Sequence, residues 1–298
     1  MDARPLPPRL THALDQLALV FRGMTAPDHA DQCTCHWGSE EELALLKVPD
    51  VELDPDLLRR TWQTVGWLDA HDGVLRRILP QLCRALAEGT VETFLDSYDE
   101  VGRCFAVSTW QQWPAAQRDA IREFLHAWWE QALTAPETDS ETDSEAAHGP
   151  PAHAVLVGCV EATGTLTPWL AAWEDRDDDI SARHLARAVE HWAYDLLCDV
   201  LPWPTWAEDE EAEALRAELT GWLLRCAPPR LRRVHAPDTL LHQVRLMGLT
   251  GLARWEDPHW PYTPSPDPSQ GPLPARPGPY GTMTPSPTDP AARPAGEP

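Results

Sequence analysis

The sequence predicts an all-α protein, folded as an irregular helical bundle or a short helical-repeat solenoid, with a disordered proline-rich C-terminal tail. Apolar residues recur at helical spacing along most of the chain, and no segment shows the alternation of apolar and polar residues that is typical of strands. Of the 31 prolines, 14 follow Asp257. Proline removes backbone donors and fixes φ, so this last segment is expected to be disordered with polyproline II character.

In the first half of the chain, caps and prolines indicate where helices begin. Asp54 followed by Pro55 predicts one helix start. Pro114 suits the first position of another helix, because the donor it lacks would be unpaired there. That helix carries an apolar face at helical spacing, formed by Ile121, Phe124, Leu125, Trp128 and Ala132. Further helices are expected over residues 10–21, 40–46 and 73–87.

The second half contains three more predicted helices. One covers residues 181–201, with its buried side formed by Leu185, Val189, Trp192, Leu196 and Val200. Another begins near Glu208 and has acids in its first turns and Arg225 in its last, as the helix dipole favours. The third is expected over residues 239–254.

These elements predict two helical halves, residues 8–135 and 154–257, joined by an acidic linker over 136–153 and followed by the tail over 258–298. The segments WQQWPAAQ and WPTWAEDE each begin Trp-x-x-Trp, and each leads through an amphipathic helix to an Ala-Pro pair. Either the halves are a weak internal duplication, or capped helices rich in tryptophan resemble one another by chance.

The charge balance and the apolar pattern predict the compartment and the class of partner. The chain has 47 acidic and 24 basic residues, a formal net charge of −23. Sequence-independent binding to nucleic acid needs Lys and Arg to displace counterions, so nucleic acid is not expected as a partner. The start MDARPLPPRL does not look like an export signal. The most apolar stretch, residues 154–173, contains Glu161 and Pro168, so no membrane span is predicted and a cytoplasmic location is expected.

One short cluster near the N-terminus combines residue types that bind zinc. It consists of His29, Cys33, Cys35 and His36. Structural zinc sites usually separate paired ligands by two to four residues and take the second pair from elsewhere in the chain. Two interpretations therefore stay open: a metal site, with zinc as its cofactor, or an ordinary loop before a helix that Ser39 and Glu42 begin as an S-x-x-E capping box.

Other candidate sites carry weaker patterns. Glu123 and His126 have the Glu-x-x-His spacing of di-iron carboxylate bundles, which also need a second such pair and two more glutamates. The remaining matches lie at 145–148, in the predicted linker, and at 256–259, beside a proline. The acidic run over 174–179 suits a cation or, more simply, a solvated loop. The chain has no Gly-rich phosphate loop, G-x-S-x-G or H-E-x-x-H motif, so no catalytic or cofactor-binding residue is predicted.

A longer segment carries a resemblance to other proteins. CTCHWGSEEELALLKVPDVELDPDLLRRTWQ, followed by VLRRILPQL and the WPAAQRDAIREFLHAWW helix, resembles a group of uncharacterised helical bacterial proteins with a short cysteine motif near the N-terminus. The resemblance covers about residues 33–135. It implies a helical fold and gives interest to Cys33, Cys35 and His36, but it implies no activity.

Taken together, these features predict an adaptor that acts through protein contacts rather than catalysis. A large acidic helical surface suits that role, as does the tail segment PLPARP, whose P-x-x-P spacing beside an arginine is recognised by aromatic-lined grooves. The alternative is a zinc-binding structural or redox-sensing protein that uses Cys33, Cys35 and His36. A helical enzyme is the third hypothesis.

Overall fold

The structure, a computed structural model, describes residues 5–28, 38–64, 71–91, 93, 98–136 and 150–262. Over these residues the chain forms twelve α-helices and a short 3-10 helix at Trp110–Gln112, with no strand. The predicted all-α fold is therefore confirmed for this part of the chain. Most of the predicted acidic linker and tail, residues 137–149 and 263–298, lies outside the described residues.

Six helices precede the predicted linker, and five of them begin within two residues of the predicted starts. They are α1 (Pro8–Val20), α2 (Glu40–Leu45), α3 (Pro55–Thr64), α4 (His71–Glu88), α5 (Asp99–Ala106) and α6 (Ala115–Thr134). Pro114 is the N-cap residue of α6 rather than its first helical residue. The sequence did not predict the eight-residue helix α5, which begins at Asp99. Residues 94–97, just before it, lie outside the described part of the chain.

Six more helices follow the predicted linker. They are α7 (Ala152–Thr163), α8 (Thr167–Glu174), α9 (Asp179–Leu197), α10 (Asp209–Arg233), α11 (Asp238–Met247) and α12 (Leu252–Trp255). The sequence did not predict α7 as a helix because α7 is apolar on nearly all sides and has no amphipathic period. The predicted helix over 239–254 is divided into α11 and α12 at Gly251, whose φ of 56° interrupts the helix.

The boundaries of α9 and α10 correct two further predictions. The α9 helix ends at Leu197, and Asp199 has a φ of 59°, so Val200 lies beyond the helix and is exposed instead of on its buried side. The α10 helix continues through Pro228 and Pro229 to Arg233. Its last turns are held by guanidinium groups that donate to the backbone of the α8–α9 connection.

Helix α7 lies in the core and packs against α5, α6 and α9, while α1 packs on α6, and α10 and α11 pack on α9. The approach of α5 to α7 is close because Gly102 has no side chain: a Cβ there would lie 2.5 Å from the carbonyl oxygen of Gly158. Tryptophans fill the space between α6, α8 and α10, with ring centroids 5.3 Å apart for Trp129 and Trp173. In the described part of the chain, no helix is both long and apolar enough to cross a membrane.

Candidate functional site

The predicted zinc cluster cannot be placed in the fold, since His29, Cys33, Cys35 and His36 lie outside the described residues. The next described residue is Gly38. The predicted capping box is confirmed: the Ser39 hydroxyl accepts from the Glu42 backbone N–H at 3.2 Å, and the Glu42 carboxylate accepts from the Ser39 N–H at 2.7 Å. This box accounts for the start of α2, and the metal site stays a prediction.

The Glu-x-x-His pair on α6 faces an arginine. Arg9, on α1, donates from Nε to Glu123 at 2.8 Å and from Nη1 to Glu130 at 2.6 Å. One guanidinium therefore pairs with both Glu123 and Glu130. Burial, then the charge of Arg9, lowers the pKa of His126, whose ring lies 4.7 Å from that of Trp169 between centroids.

The second Glu-x-x-His pair that a di-iron centre needs is not found on a described helix. Residues 145–148 lie outside the description, and Glu256 and His259 follow the end of α12. Within the described residues, no three His, Cys, Asp or Glu side chains are grouped so that they could hold a metal ion.

The acidic run over 174–179 is ion-paired with arginines rather than solvated alone. Arg233, in the last turn of α10, pairs with Asp177 and, at 3.4 Å, with Asp179. Arg225 of the same helix pairs with Glu174 at 3.1 Å, and Arg176 pairs with Asp178 at 2.9 Å. The basic end of α10 therefore supplies most of the cations for this loop, a long-range pairing that local sequence patterns did not show.

A buried carboxyl group holds the segment between α9 and α10. Glu161, on α7, is 9% exposed and accepts a 2.9 Å hydrogen bond from the indole N–H of Trp203. Burial raises the pKa of Glu161, although hydrogen bonds from Thr205, Trp203 and the backbone of Trp206 oppose the shift. Trp206 itself is half exposed, and the guanidinium of Arg103 lies 3.3 Å from its ring centroid. Trp203 therefore packs inside, as tryptophans in helical proteins usually do, whereas Trp206 reaches the surface.

Four large apolar side chains on α12 and near the end of α9 are exposed, and we name this set the apolar corner. They are Tyr194, Val200, Leu252 and Trp255, with relative exposures of 50%, 52%, 71% and 51%. Two come from α9 and the residues just after it, and two from α12. Local sequence patterns predict no site here, because the apolar corner combines residues separated by more than 50 positions and depends on where α9 ends.

Arg254 holds the apolar corner together. Its side chain is 3% exposed, and it donates from Nη1 to the carbonyl oxygen of Leu197 at 2.8 Å and from Nε to that of Leu249 at 2.6 Å. It also pairs with Asp199 at 2.9 Å. These contacts fix α12 against the C-terminal end of α9, next to Val200.

The chain matches no protein-family model, no curated protein and no solved structure at a significant level. The candidate sites therefore rest on the geometry and chemistry of the chain's own residues.

Proposed function

We propose that the chain is a protein-interaction module, an adaptor, whose apolar corner binds an apolar and positively charged segment of a partner protein. The observation that carries this proposal is the exposure of the four large apolar side chains of the corner, each at least half exposed. Exposed apolar surfaces bordered by polar residues are typical of protein interaction sites. Tyrosine and tryptophan are also enriched among the residues that contribute most to binding energy.

The corner is presented on a fixed support, which favours binding. Arg254 contacts two backbone carbonyl groups and Asp199, so α12 is held on α9 before any partner arrives. The ring of Trp255 lies 4.5 Å from that of Trp260 between centroids, which further restricts its orientation. A surface that is already ordered loses less conformational entropy on association.

Charge supports a basic partner. The formal net charge is −23, and Glu256, which follows Trp255 in the chain, has no ion pair within the described residues. A negative surface raises the association rate of a positively charged segment and opposes an acidic one. The partner is therefore expected to combine apolar residues, which contact the corner, with Lys or Arg, which are attracted by Glu256 and by the net negative charge of the chain.

Affinity capture with matched variants tests the proposal. The test variant carries Leu252→Ser and Trp255→Ala, and the control carries Leu19→Ser, which changes an exposed leucine of α1. We expect one or more proteins to be captured by the wild type and the control but lost by the test variant. A synthetic peptide with the apolar and basic segment of the captured partner should then bind the purified wild-type chain, with an affinity that falls as salt increases.

Two results would contradict the proposal. One is an unchanged set of captured proteins for the test variant. The other is a concentration-dependent dimer in analytical ultracentrifugation that the test variant abolishes, because the corner would then bind a second copy of this chain.

Zinc binding is the second hypothesis, and the cysteine distribution favours it. Five of the seven cysteines are free thiols within or at the end of helices, and four of those five are buried. Burial raises the pKa of Cys104 to about 12, which keeps that thiol protonated. Cys33 and Cys35 are the two that remain for metal binding, with His29 and His36 beside them in the sequence.

A further inference from the structure

A polar cleft of about 320 Å³ lies between α1, α6 and α8, on the side of α6 that carries His126. Its charged and titratable lining comprises Arg9, His126, Glu130, Asp175 and Arg176. The volume is at the lower end of the range for small-molecule sites. None of the residues that line this cleft belongs to the apolar corner.

The two guanidinium groups of the cleft are already paired. Arg9 binds Glu123 at 2.8 Å and Glu130 at 2.6 Å, and Arg176 binds Asp178 at 2.9 Å. An anionic ligand would have to compete with these carboxylates. The cleft is therefore poorly suited to a phosphate or a carboxylate.

The lining groups that could still contact a ligand are hydrogen-bond acceptors. Glu130 uses Oε2 for Arg9, which leaves its Oε1 without a hydrogen bond within the described residues. Asp175, the C-cap residue of α8, has no side-chain ion pair there either. His126 is half-buried with its ring tilted against that of Trp169, and within the same part of the chain its ring nitrogens have no hydrogen-bond partner. Burial lowers its pKa, so the imidazole is neutral at pH 7 and offers one nitrogen as an acceptor.

We propose that this cleft binds a small organic amine in its ammonium form. Asp175 and Oε1 of Glu130 face the positive charge, and the unprotonated nitrogen of His126 accepts an N–H of the ligand. Leu133 and Ala172, which also line the cleft, contact the hydrocarbon part of the amine. This combination of lining residues recognises a ligand with one positively charged end and one apolar end.

Titration calorimetry with three probes of similar size tests whether the cleft requires a positively charged ligand. Benzylamine is a cation at pH 7, benzyl alcohol is neutral and benzoate is an anion. We expect saturable binding of benzylamine and no saturable binding of benzyl alcohol or benzoate. Asp175→Asn should weaken it about tenfold, because one ion pair is lost. His126→Phe keeps a ring against Trp169 but removes the acceptor, so it should weaken binding as well.

The matched control is Glu211→Gln, which removes the same charge from an exposed carboxylate in the first turn of α10, away from the cleft. It should leave the affinity for benzylamine unchanged within about twofold. An equal loss in this control and in Asp175→Asn would overturn the proposal, since the amine would then respond only to net charge. Equal affinity for benzoate, or no saturable binding, would overturn it too. Tighter binding of Nα-acetyl-lysinamide than of benzylamine would instead assign the cleft to a lysine side chain of a protein.

Discussion

Burial of His153 links the stability of the helical body to pH. This side chain, in the first turn of α7, is 9% exposed, and its ring centroid lies 4.4 Å from that of His191. Burial, followed by the charges of His191, Arg187 and His184, lowers its pKa from 6.5 to about 3. The unfolded chain therefore binds a proton at this position more readily than the folded chain does.

The pKa difference predicts the direction of the pH dependence. The contribution of neutral His153 to the free energy of unfolding is complete above about pH 6.5 and falls as the pH decreases towards 3. Between pH 7 and pH 5 the loss from this one group should be about 2 kcal/mol. Urea unfolding of the wild type and of His153→Phe at both pH values measures it.

The phenylalanine side chain in His153→Phe cannot bind a proton. The loss of stability of this variant between pH 7 and pH 5 should therefore be smaller than that of the wild type by about 2 kcal/mol. His12→Gln, a change of an exposed histidine on α1, serves as the control and should behave like the wild type. Equal pH dependence in wild type and His153→Phe would show that His153 is not the buried neutral group described above.

The zinc hypothesis also makes a prediction at the residue scale. Elemental analysis of freshly purified, reduced protein without a His tag should find one zinc per chain, and the double variant Cys33→Ser, Cys35→Ser should lose it. The variant should also be less stable, because the free energy of metal binding contributes to folding. Metal-free wild-type protein would leave the segment as a loop before the capping box of Ser39 and Glu42.

At the scale of elements, sequence patterns identified most of the amphipathic helices and missed the short helices α5 and α8 and the apolar helix α7. The apolar face of α6 and the Asp54–Pro55 start of α3 predict their helices because caps and periodicity are local signals. Helix α7 gave no period because every side of it is packed. The end of α10 was misplaced because proline usually stops a helix, and the contacts of Arg230 and Arg233 that hold its last turns lie more than 50 residues away.

Two glycine substitutions should change the free energy of unfolding in opposite directions, because one glycine lies where α5 meets α7 and the other faces open space on α10. In Gly102→Ala the new Cβ would lie 2.5 Å from both the Gly158 oxygen and the Glu161 Cβ, so the helices must separate. We expect a loss of about 2 to 3 kcal/mol in the free energy of unfolding. Gly221→Ala, in α10, meets nothing within 4 Å, and it should raise stability by up to about 1 kcal/mol.

Denaturant unfolding of both variants, at a pH where His153 is neutral, measures the two effects. Equal stability of Gly102→Ala and the wild type would mean that α5 and α7 do not pack at the described distance. A loss in Gly221→Ala would contradict the open space described around Gly221.

For the whole molecule, the candidate sites depend on long-range pairing that local patterns do not contain. Arg9, which lines the polar cleft, pairs with Glu123 and Glu130 on α6, more than 110 positions away in the sequence. The apolar corner exists because Arg254 fixes α12 on the end of α9. From the net charge, the sequence predicted only that nucleic acid is not a partner, whereas the location of the apolar corner needed the positions of Val200 and Leu252.

Site-specific photo-cross-linking tests the central claim, that the apolar corner binds a basic partner, most directly. A p-benzoylphenylalanine in place of Trp255 should cross-link in cells to another protein, through a segment with both apolar and basic residues. The same group in place of Leu19 should give no such product. Adducts only with a second copy of this chain, or none at position 255, would contradict the proposed adaptor function.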